Sequence, residues 1–147
     1  MPGFSAFVGD SFLHEMEIQL GEPSTIRLVV SQEMERPAKL RRVVFEEVAA
    51  FQFETGHPST VLFDIELIEL RSFVKRHYDQ FSAGKNHNWP FRFTSMDRLP
   101  AALAERQLLA VELDSKTGTA GWVLAKRIEI QAVGRDGEFL SLLAAAP

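Results

Sequence analysis

The sequence predicts a mainly β fold: an antiparallel sheet or two-sheet β-sandwich with one main helix packed against it, α+β being the neighbouring class. Three observations lead there. Period-two alternation recurs in six or seven short segments, turn residues separate those segments at modest spacing, and one stretch beginning near residue 68 switches clearly to helical spacing. The strands do not alternate regularly with helices, which argues against a doubly wound α/β fold.

The elements follow in order. In "LHEMEIQL" (13–20), Met16, Ile18 and Leu20 fall on one face and Glu15, Glu17 and Gln19 on the other, as in a half-buried strand. Gly21-Glu22-Pro23-Ser24 supplies a turn, and "TIRLVVS" (25–31) repeats the alternation with Ile26, Leu28 and Val30 inward, so 13–31 reads as a hairpin with a four-residue connection. After Pro37, "LRRVVFEEVAAFQFET" (40–55) is rich in β-branched and aromatic residues but changes phase near Glu46-Glu47, which calls for a bulge or a turn. "STVLFDIELIEL" (59–70) holds a strand in which Val61, Phe63 and Ile65 alternate with Leu62, Asp64 and Glu66. Then Leu67, Leu70, Val74, Tyr78 and Phe81 predict a helix of about 14 residues from near 68 to before Gly84. "LPAALAERQ" is a second, shorter helical segment with Pro100 in its tolerant first turn. "LLAVELD" (108–114) and "GWVLAKRIEIQAV" (121–133) form a second hairpin, and "GRDG" turns into "EFLSLLAAAP", a further edge strand or a packed tail.

At 147 residues, 46% hydrophobic and 24% charged, the chain has the length of one domain (1–147) and the composition of a globular protein. It has no cysteine, which removes disulfides, thiol nucleophiles and thiolate-bound metals. The opening MPGFSAFVGDSF has no basic, apolar leader pattern and no apolar run reaches membrane-span length, so a soluble, cytoplasmic protein without a membrane partner is expected. A net charge of −4 speaks against a nucleic-acid partner. The most basic stretch, with Arg71, Lys75, Arg76 and His77, reads as a solvated helix face.

Few residues suggest catalysis. Ser72-Phe73-Val74-Lys75 and Lys116-Thr117-Gly118 resemble the S-x-x-K and K-T-G motifs of serine β-lactamases and penicillin-binding proteins, in which the serine is the nucleophile. Here about 40 residues separate the two and no S-D-N lies between them, so serine acyl transfer is a remote alternative. The histidines are scattered: His14 reads as a hydrogen-bonded residue on the face of Met16, and His57 and His77 as surface, with no metal-binding spacing and no cofactor motif. Asp64 and Lys126 interrupt apolar stripes, and an open sheet face would leave both solvated.

"KNHNWPFRF" (85–93) is dense in aromatics for a loop. Phe91 and Phe93 alternate with Arg92, so one side of the piece should be buried. Trp89 is then either a packing anchor or an exposed hot-spot residue.

The segments "GDSFLHEMEIQL" and "GTAGWVLAKRIEI" resemble small bacterial β-rich proteins, among them immunity proteins of polymorphic toxin systems. His14 and Glu15 stand at the opening strand, and Arg127, Ile128, Glu129 and Ile130 in the late one. The resemblance covers about half the chain and implies a non-catalytic protein that binds and neutralises another protein. On this reading the partner is a protein, and its candidate contacts are Trp89, His87, Asn88, Arg92, Glu15 and Glu17. The alternative is a small-molecule module with a pocket between sheet and helix lined by His14, Asp64, Tyr78 and Trp122.

Overall fold

A computed structural model describes residues 11–31, 40–53, 62–115, 120–133 and 139–145. Its strands are β1 (Ser11–Gln19), β2 (Thr25–Ser31), β3 (Arg41–Phe53), β4 (Leu62–Ile68), β5 (Leu109–Ser115), β6 (Ala120–Val133) and β7 (Phe139–Ala145). Its helices are α1 (Leu70–Arg76), α2 (Tyr78–Lys85) and α3 (Leu99–Glu105), the last preceded by a 3-10 turn at Met96–Arg98. The chain is therefore mainly β, as the alternation requires.

All seven strands belong to one antiparallel sheet in the order β3-β2-β1-β4-β5-β6-β7, and β3 also pairs with β6. The sheet therefore curls until its two longest strands meet, the direction that strand twist favours. It is not a closed barrel. Between β1 and β4 the described ladder has two residue pairs, Ser11 with Phe63 and Phe12 with Leu62, and the rest of β1 has no second neighbour among the described residues.

Curling creates two cores. Ile26, Leu28, Val30, Val43, Phe45, Ile65, Val111, Val123, Ile128 and Ile130 fill the concave side. The helices cover part of the convex side, burying Phe73, Val74, Phe81, Leu99, Leu103, Leu108, Trp122 and Leu124. Strand β5 is thus covered on both faces, which explains why "LLAVELD" is apolar in both phases.

The phase change near Glu46-Glu47 is a real irregularity. Glu47 takes a φ of 52°, and the β3–β6 register shifts between Val48 and Ala50. The inward positions accordingly move from Val43 and Phe45 to Val48, Phe51 and Phe53, and on β6 from Ile128 and Ile130 to Val123 and Ala125.

Three expectations need correction. Ile18 and Leu20 are exposed rather than core. Ile18 stands opposite Ile26 and shares its face, but it lies where β1 has no neighbour on its far side among the described residues, and it is 38% exposed. The connection of this hairpin is also one residue longer, 20–24. Tyr78 is 51% exposed because the helix bends at His77 and the inward i, i+4 row is Phe73, His77, Phe81. Backbone bonds from His77 N to Phe73 O and from Phe81 N to His77 O span the bend, which explains why the sequence reads as one helix, and α2 runs through Gly84 to Lys85.

Candidate functional site

Two surfaces hold most of the chemistry-bearing residues. The first is a cleft of about 420 Å³ between α1–α2 and the convex face of the sheet, lined by Gln52, Arg76, His77, Tyr78, Gln80 and Trp122, among others. Strand register builds its floor. Gln52 of β3 lies opposite Trp122 of β6, Trp122 opposite Glu112 of β5, and Glu112 opposite Glu66 of β4, so these four side chains form one row on one face. Two carboxylates facing each other across a ladder repel, and the helices bring the compensating cation. Arg76 Nη1 donates to Glu112 Oε2 at 2.6 Å, and His77 Nε2 lies 3.0 Å from Glu112 Oε1. Only 6% of the Glu112 side chain is exposed, whereas Arg76 is 55% exposed, so the pair links a buried anion to a solvated cation. Trp122 Nε1 donates to Gln80 Oε1 at 3.1 Å, and the Trp122 ring packs against Phe73, His77 and Phe81. The cleft is consequently rigid-floored and polar-lipped, with a volume suited to a small ligand.

The second surface lies at the end of the β1–β2 hairpin. Leu20, 73% exposed, shares a hollow of about 190 Å³ with Val48, Phe51 and Trp89. Trp89 is half-buried: its indole stacks on Phe81 at 5.3 Å and 15°, and its backbone N–H donates to Gly84 O at 2.9 Å. Asn88, at φ 55°, makes the turn that swings the indole under α2, a conformation asparagine tolerates. The density of aromatics in "KNHNWPFRF" therefore serves first to plug the helix layer. One edge of the plug still borders the hairpin tip. Arg27 donates to Glu17 at 2.8 Å on the exposed hairpin, and Glu15, His87, Asn88 and Arg92 are exposed.

Comparison with protein-family models, with curated proteins and with solved structures returns no match.

The expected pocket assembles by halves. Tyr78 and Trp122 line the cleft together, while His14 and Asp64 do not. His14 is the extra residue of a bulge between Leu13 and Glu15, and its Nε2 lies 2.6 Å from Ser31 Oγ. The bulge takes it off the face of Met16, so its expected side is corrected while its role as a hydrogen-bonded rim residue stands. Asp64 and Lys126 are both partly exposed. Ser72 and Lys75 are exposed on α1, and Lys116-Thr117-Gly118 and His57 lie outside the described residues. Among the described residues no group of three or more His, Asp or Glu is placed to hold a metal ion, and no helix is long and apolar enough to cross a membrane.

The sequence reading missed Glu112 and misplaced His77, which is half-buried and bonded rather than surface. A signal was present. A carboxylate inside a strand apolar in both phases must be buried, and a buried carboxylate needs cations, which "KRH" on the adjacent helix supplies.

Proposed function

We propose that this is a non-catalytic binding protein whose partner is another protein, engaged at the hairpin tip beside the Trp89 loop. The observation that carries the reading is that Leu20, the most exposed large hydrophobic residue of the described chain, borders the same hollow as Trp89. Leu20 directly follows β1 and Trp89 belongs to the 85–93 loop, so the hollow touches both chain segments that supply the candidate contacts. An apolar centre with a polar rim is the anatomy of a protein interface, and Glu15, Glu17, His87 and Asn88 would form that rim. A toxin-neutralising role of the immunity type belongs to the same proposal, on the resemblance of the two terminal segments.

The test uses tagged protein and Leu20→Glu as bait in lysate of the source cell, followed by affinity measurement on the purified captured protein. Loss of binding in Leu20→Glu, with unfolding temperature unchanged, supports the reading. Equal affinity of the two baits removes this surface from it.

A second reading, a small-molecule binding module, has its own support in the cleft around Trp122, where Gln52, Tyr78 and Gln80 offer donors and acceptors above a rigid aromatic floor. A ligand held there would raise the unfolding temperature and perturb tryptophan fluorescence. A metabolite screen that moves neither counts against it.

A further inference from the structure

We propose that a third cleft, between the loop after α2 and helix α3, is a binding site for a small organic phosphate. The cleft measures about 440 Å³, and Arg92, Arg98 and Arg106 all line it, with Glu105 as its one acidic residue. The three arginines come from different places: the loop, the 3-10 turn and the residue after α3. Their convergence therefore follows from the fold and not from sequence proximity.

In a chain of net charge −4, such a concentration of cations runs against the average field. The side chains of Arg92 and Arg98 make no ion pair or hydrogen bond with any described residue, so their guanidinium donors are available to a ligand. Arg106 is already oriented, its guanidinium carbon lying 3.9 Å from the centroid of the Phe91 ring. That contact holds the guanidinium over the ring, and none of its N–H donors has a partner among the described residues.

The remaining wall selects the rest of the ligand. Phe91 and Phe93 meet edge to face at 6.4 Å, and Ala101 and Ala102 leave room beneath them. A bare phosphate ion would fill a small part of this space. A phosphate monoester with a flat or apolar body matches it: its two negative charges and three terminal oxygens suit guanidinium forks, and its body lies against phenylalanine edges and alanine methyls. The site is separate from the hairpin tip and from the Trp122 cleft, and stands whether or not either binds a partner.

The test is calorimetric titration of the full chain, in low-salt buffer free of phosphate, with phenyl phosphate, inorganic phosphate and phenol. Phenyl phosphate is expected to bind more tightly than inorganic phosphate, and phenol not at all. Arg92→Gln and Arg98→Gln are each expected to weaken phenyl phosphate about tenfold, the loss of one charge-assisted contact. Both side chains are exposed and unpaired among the described residues, so the fold should survive, and Arg71→Gln on α1, outside the cleft, should bind like the parent. No binding of phenyl phosphate up to millimolar concentration overturns the proposal. So does equal affinity for inorganic phosphate, or an Arg92→Gln/Arg98→Gln double variant that binds as the parent does.

Discussion

Gly84 and Trp89 pack so closely that a β-carbon on Gly84 would stand 2.8 Å from the Trp89 carbonyl oxygen and overlap the indole ring. The absence of a side chain at 84 is what lets the loop fold back under α2 and stack Trp89 on Phe81. Gly84→Ala gains helix propensity at this position but must displace backbone, which overpacking data put at about 1–3 kcal/mol. Net destabilisation of about 1–2 kcal/mol is expected in urea unfolding. A variant as stable as the parent would show that the loop does not pack this way.

Arg76 and Glu112 should respond unequally to mutation, because they are unequally buried. Glu112→Gln keeps the shape of the side chain and an oxygen for Arg76, and it leaves behind a cation that is already 55% exposed to water. Arg76→Met leaves a carboxylate of which 94% is covered with only His77 beside it. The larger loss is therefore expected for Arg76→Met, about 2–3 kcal/mol against about 1 kcal/mol or less for Glu112→Gln. Thermal unfolding of the two variants checks the order, and the reverse order would contradict the burial of Glu112.

Ile18 and Ile26 face each other across the β1–β2 hairpin, yet Ile26 is 1% exposed and Ile18 is 38% exposed. Ile26→Ala removes atoms from the concave core and should cost about 2–4 kcal/mol. Ile18→Ala should cost about 1 kcal/mol or less, since water already reaches the site. Chemical denaturation of both variants measures the gap. Near-equal losses would mean that the far side of β1 is covered.

The same pair shows what could be read from the chain and what could not. Alternation assigned Ile18 and Ile26 to one face, and that is correct, because the two-residue period is a property of the strand itself. Whether the face is covered depends on β4, a strand more than 40 residues away, and no local pattern encodes that pairing. The bulge near Glu47 was legible because it shifts the pattern along one strand. The burial of Glu112 was legible in principle, since its neighbours are apolar in both phases, but its partners Arg76 and His77 lie on a helix whose bend has no local marker. The three-arginine cleft unites residues 92, 98 and 106 through the folding of a loop against a short helix, and only the fold brings them together.

Leu20 and Trp89 border one hollow but should separate stability from binding. Trp89 is stacked on Phe81 and close to Trp122, so Trp89→Ala is expected to lose about 3 kcal/mol and to lower partner affinity partly by loosening the loop. Leu20 projects into solvent, so Leu20→Glu should leave stability within about 0.5 kcal/mol of the parent. If the hairpin tip is the centre of the interface, that variant should nonetheless weaken the partner complex by a factor of ten or more, the cost of burying an unpaired charge where a leucine had been. Measuring unfolding temperature and affinity on both variants separates the possibilities. A Trp89→Ala effect on affinity without a Leu20→Glu effect would make the tryptophan a structural plug alone and would place the partner elsewhere on the molecule.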